Sequence, residues 1–167
     1  RDHISGSTIS VSMEGTRPIL IEIQALVTKS SYGNPQRTAN GIDYRKLAML
    51  IAILEKRGGY PMGVHDVFVN IVGGLKIDET AINLAVVTAM ASSLRDLAIP
   101  SKCVFLGEIG LGGEVRSVPF IEARVREALK FGYNQIFIPK NNEQLIKIND
   151  KKIKGVDSIG HLFSMIF

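Results

Sequence analysis

The sequence predicts a mixed α/β domain, and three observations predict it. Two alternating segments at the start read as a hairpin. Apolar stripes at helical spacing then alternate with short β-rich runs. Glycine or proline punctuates nearly every junction between them. In the hairpin, Ile9, Val11 and Met13 alternate with Ser10 and Ser12, the pattern of a half-buried strand. Glu14-Gly15-Thr16-Arg17-Pro18 makes the turn, and Ile19, Ile21, Ile23 and Ala25 mark one face of a second strand running to Val27. Residues 1–6 read as a tail, which leaves 7–167 as the domain.

From Tyr32-Gly33-Asn34-Pro35 to about Gly41 the chain reads as a loop, with Tyr32 available to stack or pack. Asp43 is expected to cap a helix carrying Leu47, Leu50, Ile51 and Leu54, which Gly58-Gly59 stops. Val67 to Val72 is an apolar strand closed by Gly73-Gly74. Asp78 or Thr80 caps the next helix, whose buried side holds Ala81, Ala85, Ala89 and Met90 and which runs to about Arg95. Val104 to Gly107 is a strand, and Leu111-Gly112-Gly113-Glu114-Val115 is a tight turn into another. Pro119 suits the first turn of a helix with the stripe Ile121, Val125, Ala128 and Leu129. Ile136 to Ile138 is a strand, 141–148 a short helix, and Lys154 to Val156 a last strand. Ser158 then caps a final helix.

Composition excludes several classes. The chain has 167 residues, 46% of them hydrophobic, which suits one globular domain with a proper core. No apolar run is long enough to cross a bilayer, and no basic-then-apolar leader is present, so no membrane partner and no secretion are expected. The single cysteine, Cys103, sits in an apolar run and excludes an internal disulfide and a cysteine metal cluster; a reducing cytoplasm fits it. His3, His65 and His161 lack ligand spacing, so no metal site is expected. No Gly-x-x-x-x-Gly-Lys-Ser/Thr run occurs, and Gly112-Gly113 precedes a strand rather than a helix, so the glycines read as a hairpin turn and not a phosphate cradle. A net charge of +4 permits a polyanionic partner without demanding one.

Several segments, in order, resemble the C-terminal domain of the RadA (Sms) family of bacterial DNA-repair proteins. They are Glu14 to Pro18 with Glu22 to Val27; Asn34-Pro35 with Arg37 and Gly41; and Asp66 to Gly74. Ser92-Ser93-Leu94-Arg95-Asp96 follows, and then Gly107 to Leu111 with Gly113 to Arg116. That domain is similar to the Lon protease domain, whose fold is of the ribosomal protein S5 domain 2 type. Lon proteases use a serine and a lysine, and the lysine must be neutral to take the serine proton. In this chain the corresponding positions are Ala81 and Glu122, a residue with no nucleophile and one of reversed charge. Thr80 is one helical step off the serine direction, and Arg124 cannot act as a base. The resemblance therefore implies no catalytic residue and no enzymatic activity in this domain. An unconventional peptidase using Thr80 or Ser117 and a pure interaction module for repair proteins are the alternatives.

The resemblance also implies a part in homologous recombination, within a hexameric helicase that drives branch migration. ATP, Mg and Zn are then expected only in an ATPase domain and a zinc finger lying outside this chain, with no cofactor in this domain. The expected partners are further copies of the chain, DNA, and a recombinase or other repair proteins, in the bacterial cytoplasm. Phosphate contacts need flexible cations on one surface. The segment from Lys29 to Lys46 offers Lys29, Arg37, Arg45 and Lys46 as DNA-binding candidates. The denser run Lys147, Lys151, Lys152 and Lys154 reads as a solvated face.

Overall fold

The computed structural model describes residues 4–31 and 33–167. Its first sheet is four-stranded, built from β1 (Ser7–Glu14), β2 (Arg17–Lys29), β3 (Arg37–Asn40) and β4 (His65–Ile71) in the order β1-β2-β4-β3. β1 pairs antiparallel with β2 through the Glu14↔Arg17 turn, and β2 pairs antiparallel with β4. β3 lies parallel to β4, joined to it by the helix α1 (Tyr44–Gly58). A second sheet is fully parallel, from β5 (Cys103–Phe105), β8 (Gln135–Pro139) and β9 (Ile153–Val156) in the order β5-β8-β9. Between β5 and β8 come a small hairpin, β6 (Glu108–Ile109) and β7 (Val115–Arg116), and the helix α3 (Ile121–Lys130). The expected mixed α/β class is what the chain adopts, with a parallel sheet at its C-terminal half.

The core has two parts because the helices sit on opposite faces of the hairpin. α2 (Asn83–Arg95) packs against β2 and β1 from one side, and α3 packs against the same strands from the other. Ile21, Ile23, Val69, Leu50, Leu54 and most of α2 form the larger apolar cluster. Val11, Val104, Leu106, Val125, Ile136 and Ile138 form the smaller one. α2 is buried from Asn83 to Ser92, so it is a central helix, not one with a single buried side. Phe105 and Phe137 stack at 5.3 Å between ring centres and tie β5 to β8. No helix among the described residues is long and apolar enough to cross a membrane.

Side-chain caps open α1 and the final helix. The Asp43 carboxylate accepts the Lys46 N–H at 3.0 Å, and Gly59 closes α1 in the left-handed region at φ 75°. Ser158 caps the final helix α5 (Ile159–Ile166) by accepting the His161 N–H. Neither Asp78 nor Thr80 caps α2 through its side chain. A 3-10 turn, Thr80–Ile82, leads in, and Gly107 supplies the partners instead: Leu84 N–H donates to Gly107 O, and Gly107 N–H donates to Ala81 O. Pro119 precedes α3 rather than lying in its first turn, because Phe120 takes a left-handed φ of 57° and delays the helix to Ile121.

Three expectations about the first third of the chain differ from the structure. Ser10 and Ser12 are 0% and 1% exposed, more buried than the flanking Ile9 and Met13, because α2, β5 and Glu79 lie on their side of β1. Arg37-Thr38-Ala39-Asn40 is a strand and not loop; it has no apolar alternation and is ordered by pairing with β4. Residues 1–6 are only partly a tail: Gly6 accepts the Ala25 N–H and donates to Ser92 Oγ. Arg1 to His3 and Tyr32 lie outside the described residues, so the stacking role expected of Tyr32 does too. α4 (Lys140–Leu145) is shorter than the helix expected over 141–148.

Candidate functional site

The two positions that the resemblance sets against the protease dyad start two different helices. Ala81 is 1% exposed within the 3-10 turn that opens α2. Glu122 lies in the first turn of α3, where its carboxylate accepts the Lys147 N–H at 3.1 Å and faces Arg126 at 3.7 Å. That pair is mostly exposed and spaced four residues apart on the helix, so it contributes little. Glu122 is engaged on a surface, and Ala81 is part of the core.

What joins the two helix starts is a pair that sequence reasoning passed over. Arg124 is 0% exposed. Its Nη2 donates to Glu79 Oε1 at 2.6 Å and its Nη1 to Glu79 Oε2 at 3.0 Å, a two-point grip. Nη1 also donates to Val11 O at 2.9 Å, and Nε donates to Pro119 O at 2.9 Å. Glu79 Oε2 further accepts the Ser12 hydroxyl at 2.7 Å and the Met13 N–H at 2.5 Å. Partial burial pushes the Glu79 carboxyl up. Hydrogen bonds from Arg124, Ser12 and Met13, with the Arg124 charge, outweigh that and hold it below the usual carboxylate range. The available signal was that each residue lies two positions from a dyad position, Glu79 before Ala81 and Arg124 after Glu122.

The DNA-binding candidates do not gather into one patch. Lys29 ends β2 opposite His65, and Arg37 opens β3 opposite Val67, so both lie at one end of the sheet. Arg45 and Lys46 lie in the first turn of α1, past the other end of β3. Lys29 and Arg45 are exposed. Arg37 and Lys46 are tethered: the Arg37 guanidinium donates to the carbonyls of His65 and, at 3.1 Å, Met62, and Lys46 Nζ donates to Asp78 O at 2.6 Å. Cys103 is buried, which pushes its thiol up to about 11. Among the described residues no group of three or more His, Cys, Asp or Glu side chains is arranged to hold a metal ion.

Residues 38–142 match the family model described as subunit ChlI of Mg-chelatase. Over 157 residues the chain is 52% identical to the DNA repair protein RadA of Listeria monocytogenes, and 49% identical to that of Bacillus subtilis; each match covers 93% of this chain. It is 45% identical over 161 residues to the DNA repair protein RadA of Escherichia coli, with 96% of this chain covered. These matches cover 34%, 33% and 35% of the relatives, so the chain spans about a third of their length.

Two expectations are corrected by these matches. The absence of enzymatic activity, and the absence of any cofactor with ATP and Mg assigned to other domains, do not stand. A family model named for a subunit of an enzyme, the Mg-chelatase, covers more than half of this very region. The physical reason is that Ala81 and Glu122 speak only to peptide hydrolysis by a serine and a lysine; they carry no information on any other chemistry.

Proposed function

The chain belongs to the family described as subunit ChlI of Mg-chelatase and is homologous to DNA repair proteins named RadA, and from that premise we propose that it serves DNA repair as the ring-forming, DNA-contacting part of a longer protein. The observation that carries this reading is the reach of the homology, identity of 45–52% along 93–96% of the chain. The proposed domain is 7–167, with the Lon protease-like arrangement of the ribosomal protein S5 domain 2 type. The assembly is a hexamer, the whole protein drives branch migration in the bacterial cytoplasm, and a recombinase or another repair protein is a further partner. Lys29 and Arg45, exposed at the two ends of β3 and its neighbours, supply phosphate contacts.

Light scattering tests the ring, and a gel shift over a salt series tests DNA binding. A mass of several protomers and an affinity that falls steeply with salt are expected. A strict monomer with no DNA affinity at low salt sinks the reading for this domain.

A further inference from the structure

The two larger sheets meet edge to edge, and the gap between their edges is only partly closed. Gly6 accepts the Ala25 N–H, so by register Thr8 and Ser10 turn their main-chain groups to β2, while Ser7 and Ile9 turn theirs away. Across the gap, Lys102 O accepts the Gln135 N–H and the Leu106 N–H donates to Phe137 O. Cys103 and Phe105 therefore turn their main-chain groups away from β8, toward β1. Among the described residues no strand pairs with either edge. Side chains close the far part of the gap. The Ser10 hydroxyl donates to Phe105 O, Arg124 Nη1 donates to Val11 O, and the Met13 N–H donates to Glu79. Toward the first residues of both strands the edges part. Ser7 and Ile9 on one side and Cys103 on the other line a cleft of about 590 Å³.

We propose that this cleft takes an extended segment of another protein as an added strand, a short apolar run with an acidic residue beside it. The main chain of Ser7 and Ile9 supplies the pairing, and Cys103 faces the added strand from the other side. Open strand edges offer N–H and C=O groups in alternation, and a polypeptide main chain is the partner that carries both at the same repeat. The walls are apolar on both faces. Ile9 and Tyr133 pack against the smaller apolar cluster and Ile99 against the larger, so successive side chains of an added strand meet apolar surface on either side. Ile4 and Phe131, 65% and 55% exposed, extend that surface at the mouth. The rim is basic. Lys102 is exposed on it, and so is Lys130, whose Nζ lies 5.6 Å from the centre of the Phe131 ring. Neither lysine makes an ion pair among the described residues. The carboxylate that lines the cleft, Glu22, already accepts the Ser7 hydroxyl at 2.8 Å. Charge on the rim therefore favours an acidic residue flanking the apolar run. Neither Lys29 nor Arg45 lines the cleft, so this surface is separate from the one proposed for phosphate contacts.

The test selects a phage-displayed library of short random peptides on the chain. Enriched peptides are expected to carry an apolar run next to an aspartate or glutamate. With the tightest of them bound, amide hydrogen exchange is expected to slow at Ser7, Ile9 and Cys103. Ile9→Pro removes an N–H that points away from β2, so the β1–β2 ladder keeps its bonds. Lys102→Glu reverses a charge on the rim. Each variant is expected to bind that peptide about tenfold more weakly, with thermal unfolding verifying the fold. A fully N-methylated form of the peptide lacks the donors that pairing needs and is expected to lose binding to the original chain, whether or not Ile9→Pro folds. No enriched peptide, enrichment of basic peptides, full affinity of the N-methylated form, or slowed exchange at other residues alone overturns the proposal. A lower oligomeric mass for Ile9→Pro, with no peptide enriched, gives the edge to a second copy and overturns it too.

Discussion

Arg124 and Glu79 form a two-point ion pair, at 2.6 and 3.0 Å, that bridges the start of α3 to the segment leading into α2. The Arg124 side chain is 1% exposed and Glu79 25%, so the cation is fully withdrawn from water. Withdrawing a guanidinium is costly unless every donor finds a partner. Here Glu79 takes two of the five N–H donors, and Pro119 O and Val11 O take two more. Glu79→Ala strands the cation and is expected to cost about 3 kcal/mol. Glu79→Leu with Arg124→Met removes both charges and is expected to recover most of it. Urea unfolding of the single and double variants checks this, and a double variant no better than the single one contradicts it.

The same pair sets an acid limit. The Glu79 carboxyl is depressed in the folded chain, so the unfolded chain binds its proton more readily. The resulting stabilisation is complete above the ordinary carboxylate pKa, near about pH 4.3. It is lost as pH falls through the lower folded value. Urea midpoints measured down a pH series are expected to fall more steeply below about pH 4 in the original chain than in Glu79→Gln. Parallel curves contradict the assignment.

Ser10 ties the two sheets together. Its hydroxyl, fully buried on β1, donates to Phe105 O on β5 at 2.7 Å. Thr8, on the same face, donates to Ala85 O of α2 at 2.9 Å. Ser10→Ala leaves the Phe105 carbonyl without that donor and is expected to cost about 1–2 kcal/mol. Ser10→Val adds apolar bulk against the same carbonyl and is expected to cost more. Thermal unfolding of both variants tests the ordering.

These contacts mark where the sequence was legible. Helix stripes and caps were readable because they depend on neighbours in sequence: Asp43 with Lys46, Gly59 after α1, Ser158 with His161. β3 was not, since Arg37-Thr38-Ala39-Asn40 becomes a strand only by lying along β4, its partners 30 residues on. The burial of Ser10 and Ser12 was hidden because a hydroxyl is polar in composition yet satisfied in place by Phe105 O and Glu79. The Ser92-Ser93 motif carried a family resemblance, but its work is architectural: Ser92 Oγ accepts the Gly6 N–H and Ser93 Oγ the Val27 N–H. At the dyad positions the residue types were readable and the Glu79–Arg124 bridge was not, because it spans 45 residues of chain.

Strain at Phe120 gives a further prediction. Its φ of 57° is the left-handed region, its side chain is 63% exposed, and it makes no side-chain cap to α3. A non-glycine residue there costs of order 1 kcal/mol. Phe120→Gly removes that cost while removing little packing, so its thermal midpoint is expected to rise by a few degrees. A fall in midpoint means that the ring makes stabilising contacts greater than the strain.

Among the four basic candidates, charge and tether separate roles. Arg37 donates to the carbonyls of His65 and Met62, and so fastens β3 to the segment entering β4. A charged donor to carbonyls is worth about 1.5–3 kcal/mol, so Arg37→Ala is expected to lose stability of that order. Lys29 and Arg45 are exposed and can reach a phosphate without giving up an internal bond. Lys29→Glu and Arg45→Glu are expected to leave the unfolding midpoint nearly unchanged, to weaken DNA binding at every sequence tested, and to flatten the dependence of log affinity on log salt by about one unit per lost contact. Unfolding curves and salt series on the three variants decide it. Should Arg37→Ala leave stability intact while abolishing DNA binding, its guanidinium works on phosphate and not as a tether.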